Sequence, residues 1–152
     1  MSRTEKENRS IGRLISILYR QSKVYFQRKL APYGLGHGQV PVLMYIAHHE
    51  GVTQHQVSEH FWLDKGSTST LMKGLEAHGF IIKKRDEQDR RVFRIYMTHR
   101  TKELLPVFHE IFRGWTWLLL DGFQEDEQEE AFELLNRMLD NTHHHLNREE
   151  EG

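Results

Sequence analysis

Residues 53–98 contain a helical pattern, a tight turn, a second helical pattern and a charged strand pair, in that order. Thr53 can cap the first helix, because Gln56 follows three residues later and completes a capping box. Asp64 can cap the second helix, which is predicted over Lys65 to about His78. This order of elements limits the stretch to a helix-turn-helix followed by a β-hairpin.

The second of these helices has one apolar side and one small, polar and weakly cationic side. Successive residues are separated by about 100° around a helix axis, which sorts the sequence into two faces. The apolar face holds Thr68, Leu71, Met72 and Leu75, and the opposite face holds Gly66, Ser69, Thr70, Lys73 and Ala77. Short hydrogen-bonding side chains on a slim helix suit the major groove of DNA, which is about 12 Å wide. The pattern therefore predicts a recognition helix.

The hairpin has the features of a DNA-binding wing. Phe80 to Arg85 and Val92 to Met97 are predicted strands, with the charged tip Asp86 to Arg91 between them. An arginine at the tip can enter the minor groove, and Asp89 can hold that arginine with a charge-assisted hydrogen bond. We predict DNA contacts from Lys65, Gly66, Ser67, Ser69, Thr70 and Lys73 of the recognition helix, Thr53 and Gln54 of the first helix, and Arg85, Asp89, Arg90 and Arg91 of the wing.

The distribution of charge agrees with a local rather than a general DNA-binding surface. The formal net charge is -1, so any positive surface has to be concentrated in one part of the molecule. Glu125 to Glu133 is strongly acidic and cannot face phosphate. The basic residues that cluster are Lys83, Lys84, Arg85, Arg90, Arg91 and Arg94. The chain contains no cysteine, which excludes disulfides and a thiol redox switch.

From about Ser10 to Leu146 the chain resembles the multiple-antibiotic-resistance regulator (MarR) family of transcription factors. The most specific matches are the run Asp64 to Leu71, the run Leu75 to Phe80, and Asp89, Arg90 and Arg91 followed by Met97 and Thr98. The resemblance implies an obligate winged-helix homodimer with the recognition helix in the major groove and Arg91 in the minor groove. It also implies, for most members, a repressor that responds to a ligand.

Three positions depart from the family pattern. Thr70 stands where many members carry a basic residue, so the base preference of the family cannot be transferred to this chain. Thr101 occupies a usual glycine position after the wing, and Gln124 replaces the common Ser or Thr cap of the last helix. These departures concern local detail and leave the predicted fold unchanged.

Long helices are predicted on both sides of the wing region, which gives six helical segments and one hairpin. They run over Ser10 to Ala31, from Thr98 or Thr101 to Leu120, and over Asp126 to Leu146, and they carry more apolar residues than one stripe requires. We expect them to pack with those of a second copy. A twofold dimer would place two recognition helices about one DNA turn, roughly 34 to 36 Å, apart.

The expected fold class is mainly α (α+β), a winged helix-turn-helix with N- and C-terminal helices that form a dimerisation region. Residues 1–34 are predicted as the N-terminal helix of that region, residues 35–98 as the DNA-binding domain, and residues 99–152 as the C-terminal helices. The start of the chain lacks the apolar run of a signal peptide, and no segment has membrane-spanning length. We expect a cytoplasmic protein without a membrane partner.

These patterns predict a sequence-specific DNA-binding transcriptional regulator, and the resemblance implies a homodimeric repressor that a small-molecule ligand releases. Its expected partners are double-stranded DNA with a pseudo-palindromic operator and a second copy of itself. The alternative is a winged-helix module that binds proteins without specific DNA binding. An enzyme is not expected, because a nucleophile with a base, a phosphate-cradling glycine loop and a paired-carboxylate site are all missing at suitable spacing.

Two weaker signals concern small ligands. Arg20 lies within the otherwise apolar first helix and could pair with the carboxylate of a small aromatic or phenolic anion, the effector class that the resemblance suggests. It could equally extend outward or bridge to an acidic residue, and we favour that structural interpretation. The eleven histidines include the consecutive His143, His144 and His145, which point in different directions on a helix. We expect no metal and no other cofactor.

Overall fold

The computed structural model describes residues 9–150, with side chains described up to residue 146. This part of the chain contains six α-helices, a single 3-10 turn and three short strands. The elements are α1 (Ile11–Leu30), the 3-10 turn (Ala31–Tyr33), α2 (Gln39–His48), β1 (Val52–Thr53), α3 (Gln54–Phe61), α4 (Lys65–Ala77), β2 (Ile81–Arg85), β3 (Phe93–Met97), α5 (His99–Leu119) and α6 (Glu125–Glu150). The expected mainly helical, winged helix-turn-helix fold is confirmed.

Short-range hydrogen bonds fix where the flanking helices begin. The hydroxyl of Ser10 accepts a hydrogen bond from the backbone N–H of Arg13 at 3.2 Å and caps α1. The sequence left two possible starts for α5, and the structure selects Thr98, whose hydroxyl accepts from the N–H of Thr101 at 3.4 Å. Thr101 itself is fully buried, and its hydroxyl donates to the carbonyl of Phe80 at 2.7 Å. A hydroxyl at this position therefore ties the wing region to α5.

The small sheet is antiparallel, with strand order β1-β3-β2. The hairpin pairs Ile81 with Met97 at one end and Arg85 with Phe93 at the other. Strand β1 was not predicted, because two residues carry no alternating pattern, and it forms through pairing of Val52 with Ile95 and of Thr53 with Arg94. The predicted inward face of β3 is correct for Ile95 and Met97, whereas Phe93 near the tip is 44% exposed.

Contacts along the chain divide it into two units, the first ending at Trp115 and the second beginning at Thr116. The core of the first unit is formed by apolar side chains from α1 to α5 and the sheet. The largest of those that are fully buried are Phe80, Phe108, Leu30, Leu43, Ile46, Met72, Leu75, Ile81 and Ile95. The first unit thus has its own hydrophobic core. The predicted three-part division stays a prediction.

Within the first unit, α1 packs against the first part of α5 through aromatic rings. Phe26 is buried, with its ring centroid 4.8 Å from that of Phe112. The hydroxyl of Tyr25 donates to the carbonyl of Ile111 at 2.9 Å. A Cβ at Gly114 would lie 2.5 Å from that hydroxyl oxygen, so this close approach depends on glycine.

Helix α1 and the second unit each expose apolar side chains. On α1, Ile11, Leu14, Ile15 and Leu18 are between 44% and 55% exposed. The second unit exposes Trp117, Leu118, Phe132, Leu134, Leu135, Leu139 and Leu146. Between residues 9 and 150 no helix is both long and apolar enough to cross a membrane.

Candidate nucleic-acid interface

Helix α3 begins with the predicted capping box. The Thr53 hydroxyl accepts from the N–H of Gln56 at 3.2 Å, and the Gln56 side-chain oxygen accepts from the N–H of Thr53 at 2.9 Å. These reciprocal bonds fix the direction of the first helical turn. Gln54 is half-buried and His55 is exposed at this end of the helix. The positive end of the helix dipole therefore lies beside two polar side chains.

Helix α4 begins at the predicted cap, Asp64. Its carboxylate accepts from the Ser67 N–H at 2.7 Å and from the Ser67 hydroxyl at 2.6 Å. These hydrogen bonds, from the hydroxyl first and then from the N–H, lower the pKa of Asp64 below its ordinary value. The Ser67 hydroxyl hydrogen is thus already used at the helix start, and its oxygen remains an acceptor. The structure therefore distinguishes Ser67 from the other predicted contact residues of this helix, which the sequence alone did not do.

The two faces of α4 lie as the projection predicted. Thr68, Met72 and Leu75 are buried, and the Thr68 hydroxyl donates to the carbonyl of Asp64 at 2.8 Å. Among the predicted contact residues of this helix, Ser69 is half-buried. Lys65, Gly66, Ser67, Thr70 and Lys73 are exposed. Thr70 and Lys73 combine exposure with positions beyond the cap.

An open concavity of about 610 Å³ lies between the start of α3, helix α4 and the hairpin. Its lining consists of Thr53, Gln54, His55, Glu76, Lys83, Val92 and Phe93. A second concavity, of about 370 Å³, is lined by Gln54, His55, Ser58, Lys65 and Thr68. Gln54 and His55 line both concavities. Gln54 was predicted from the sequence as a contact residue, whereas His55 was not, although it stands next to the capped helix start.

The tip of the wing is organised by the carboxylate of Asp86. One carboxylate oxygen accepts from the N–H groups of Gln88 at 2.8 Å and Asp89 at 2.9 Å, which makes a tight Asx-type turn. The N–H of Asp89 first, and then the guanidinium of Arg94, hold the pKa of Asp86 at about 2. The carboxylate is therefore ionised throughout the physiological range.

The sequence predicted that Asp89 holds an arginine of this tip, and the structure identifies that arginine as Arg91. Arg91 Nε lies 3.1 Å from Asp89 Oδ1, and Arg91 Nη2 lies 3.1 Å from Asp89 Oδ2. The Arg91 guanidinium lowers the pKa of Asp89, and the pKa of Arg91 is raised in return. The Arg91 side chain is nevertheless 90% exposed. The two hydrogen bonds to Asp89 thus orient the Arg91 guanidinium, although this group is exposed to solvent.

The other predicted wing residues lie beside this pair. The Arg85 guanidinium carbon lies 4.9 Å from the centroid of the Phe93 ring, and its Nη1 donates to the carbonyl of Arg90 at 2.8 Å. Arg90 is exposed. The structure therefore brings together all four predicted wing residues.

The remaining basic residues of the cluster have partners within the hairpin and its neighbours. Lys83 Nζ lies 3.6 Å from the carboxylate of Glu76, and Lys84 Nζ lies 5.2 Å from the centroid of the Tyr96 ring. Arg94 contacts Asp86 and the carbonyl of Gly51. The predicted basic cluster therefore divides into two groups. Arg85, Arg90 and Arg91 lie at the tip, whereas Lys83, Lys84 and Arg94 contact other residues of the hairpin and its neighbours.

The two small-ligand signals lie outside this interface. Arg20 is exposed on α1, where it remains a candidate residue for an effector. In the part of the chain that the structure describes, no three His, Cys, Asp or Glu side chains are grouped so that they could hold a metal ion.

A capped helix pair, an outward polar helix and an arginine-tipped hairpin define a winged helix-turn-helix protein. A family model described as MarR family matches residues 33–92. The HTH-type transcriptional regulator SarZ of Staphylococcus epidermidis is 31% identical over 109 residues, which cover 69% of this chain and 74% of SarZ. The chain belongs to the MarR family.

Solved structures agree with this assignment. The crystal structure of a MarR transcriptional regulator from Methanosarcina mazei Go1 is 35% identical with a TM-score of 0.78, over 87% of this chain and 95% of that one. The MepR–DNA complex of S. aureus is 25% identical with a TM-score of 0.82, over 87% of this chain and 98% of that one. The protein is thus a DNA-binding transcriptional regulator and not an enzyme.

Proposed function

We propose that the protein is a homodimeric repressor that recognises a specific, pseudo-palindromic operator and leaves it when a small molecule binds. The observation that carries this proposal is the Arg91 guanidinium, 90% exposed yet fixed by two hydrogen bonds to Asp89. Because Asp89 already orients this cation, it loses little conformational freedom on binding an electronegative groove.

In this proposal α4 enters the major groove and Arg91 the adjacent minor groove. The concavity bounded by the start of α3, α4 and the hairpin supports it, because a phosphate backbone has to pass between a recognition helix and a wing. Thr70 and Lys73 are the exposed residues that would meet the DNA from α4. The N–H groups at the start of α3, beside Thr53 and Gln54, would face a phosphate.

The homodimer is supported by the exposed apolar faces. Leu134, Leu135 and Leu139 of α6 are between 40% and 56% exposed, which is costly for a helix in water. Ile11, Leu14, Ile15 and Leu18 of α1 are similarly exposed. A second copy of the chain offers matching apolar faces, and a twofold dimer would match a pseudo-palindromic operator.

Release by a ligand is the part of the proposal that rests most on the family. A small aromatic or phenolic anion would pair with Arg20 of α1 and change the spacing of the two recognition helices. Such a ligand has to bind the DNA-incompetent dimer more tightly than the competent one.

A salt-dependent DNA titration tests the central claim. A duplex selected by the protein from a random-sequence pool would be labelled and titrated at several salt concentrations, with a scrambled duplex beside it. We expect saturation at two protomers per site and a steep salt dependence, about -0.9 in log–log slope for each neutralised phosphate. Equal binding to the scrambled duplex, or a flat salt response, would exclude sequence-specific regulation and favour a protein-binding role.

Two variants sharpen the titration. Arg91→Ala should weaken binding about tenfold, whereas Arg113→Ala should leave it unchanged. Arg113 is a suitable control because it is an exposed arginine in an ion pair with Glu110 on α5, outside the winged region. An equal loss in both variants would mean that net charge, and not the wing, determines affinity.

A further inference from the structure

Arg94 is a residue of the wing whose guanidinium contacts other groups of the protein. It is the second residue of β3, and its side chain is 42% exposed. Its Nε donates to the carboxylate of Asp86, whose side chain is only 14% exposed. Its Nη1 donates to the carbonyl of Gly51 at 3.0 Å. One guanidinium therefore joins the turn at the wing tip to the segment that precedes α3.

The backbone of Arg94 connects the same parts of the fold. Arg94 pairs with Thr53 of β1 on one side and with Lys84 of β2 on the other. Thr53 is also the capping residue of α3. Main chain and side chain of Arg94 thus both contact the segment from which the helix-turn-helix starts.

Gly51 is held in place independently of this side chain. It has φ +85°, and its N–H donates to the carbonyl of Ile95 at 2.9 Å. A Cβ at this position would lie 3.2 Å from the hydroxyl oxygen of Tyr96, so the tight approach to β3 favours glycine. The carbonyl that Arg94 contacts is therefore a fixed point.

A continuous series of hydrogen bonds leads from this fixed point to the exposed arginine. We refer to Gly51, Arg94, Asp86, Asp89 and Arg91 as the wing relay. Arg94 joins Gly51 to Asp86, Asp86 accepts from the N–H of Asp89 at 2.9 Å, and the Asp89 carboxylate holds Arg91. Each hydrogen bond in this series has a charged donor or a charged acceptor, and such bonds are stronger than those between neutral groups.

We propose that Arg94 is a positioning residue that sets where Arg91 stands relative to α3 and α4, and that it does so without touching DNA. This inference rests on the proposed contact of Arg91 with the minor groove. Two of the Arg94 nitrogens already have partners in the protein, and the adjacent Asp86 carboxylate offsets its charge. The planar fork of arginine is required, because the two acceptors are met by different nitrogens.

A double-mutant cycle on the selected operator duplex tests the proposal. Arg94→Met removes the guanidinium and keeps an unbranched side chain. We expect Arg94→Met and Arg91→Ala each to weaken binding about tenfold, and the double variant to bind as Arg91→Ala does. A direct phosphate contact by Arg94 would instead give additive losses and would lower the salt slope by about 0.9 in the Arg91→Ala background. Additive losses, or an unchanged affinity of Arg94→Met alone, would overturn the positioning role.

Arg94→Lys separates charge from geometry. Its ammonium lacks the two separated nitrogens with which arginine meets Asp86 and the Gly51 carbonyl, so we expect it to remain about as weak as Arg94→Met. Full recovery by lysine would show that charge alone suffices and would contradict the proposal. Thermal unfolding of each variant shows whether the wing region is still folded. Arg91→Ala by itself reports on the proposed DNA contact, so if that variant binds normally the wing contact fails and the inference fails with it.

Discussion

Arg91 and Asp89 form a two-point contact in which Nε and Nη2 of the arginine each lie 3.1 Å from a different carboxylate oxygen. The two residues are separated by only one position, and the arginine side chain remains 90% exposed. Exposed ion pairs contribute little to folding stability. The consequence of this contact is therefore an orientation of the guanidinium that is set before DNA arrives.

Removal of the carboxylate should affect DNA binding more than folding. Asp89→Ala leaves Arg91 in place and frees its side chain, so we expect weaker operator binding than in the wild type but a smaller loss than Arg91→Ala causes. Fluorescence anisotropy with the selected duplex measures affinity, and thermal unfolding should be unchanged. A loss as large as that of Arg91→Ala would mean that Asp89 does more than orient the arginine.

The wing tip should resist acid. The pKa of Asp86 lies at about 2, below its ordinary value of 3.8, so its contribution to stability is complete above about pH 4 and is lost as pH falls through about 2. An NMR titration of the Arg94 Nε–H signal in the free protein should show this late transition. A transition centred near the ordinary value would contradict the hydrogen bonding described for the turn, and Asp86→Asn should abolish the step.

The capping box at Thr53 should contribute measurably to stability. Thr53→Ala removes the acceptor for the Gln56 N–H, so we expect a loss of about 1 kcal/mol in the free energy of unfolding. Thr53→Ser keeps the hydroxyl and is the matched control, with an expected loss well below that of alanine. Chemical denaturation measures both variants, and an equal loss would place the effect in packing of the threonine methyl group instead.

Thr70 should influence which sequence the protein prefers. It is exposed on α4 beyond the cap, and its hydroxyl can meet base edges. We expect Thr70→Ala to relax the operator preference at one base pair of each half-site while thermal stability stays the same. The measurement is a repeated selection from the random duplex pool. An unchanged selected sequence would exclude Thr70 as a base contact.

The exposed leucines of α6 should be required for the proposed dimer. Leu135 and Leu139 are 56% and 49% exposed and lie one helical turn apart, so aspartate at both positions places charge in any apolar contact there. Analytical ultracentrifugation should show a dimer for the wild type and a monomer for the double variant. Glu133→Ala, on the opposite side of the helix, should remain dimeric. A double variant that stays dimeric would place the interface elsewhere.

Local patterns predicted the helix pair and its caps correctly. Thr53 with Gln56, and Asp64 with Ser67, are each three residues apart, so the hydrogen bonds that they form depend only on the local chain. The same holds for Asp89 and Arg91, whose contact was predicted from the sequence of the tip. The side of α4 that faces outward also followed from its periodicity.

Contacts between distant parts of the chain could not be predicted in this way. His55 lines a concavity that α3, α4 and the hairpin enclose together, which the sequence of α3 alone does not show. Strand β1 has two residues and no pattern of its own, and it exists because β3 supplies its hydrogen-bond partners.

The sequence by itself determined the elements, their caps, the outward face of α4 and the charged tip, because each depends on residues close together in the chain. The tertiary structure alone decided the role of Arg94, which by sequence is one more cation in a basic cluster. Its partner Gly51 lies 43 residues away, so only the folded sheet brings that carbonyl within reach of the guanidinium. Charge in the sequence shows that a wing can bind DNA, and the fold decides which cations are free to do so.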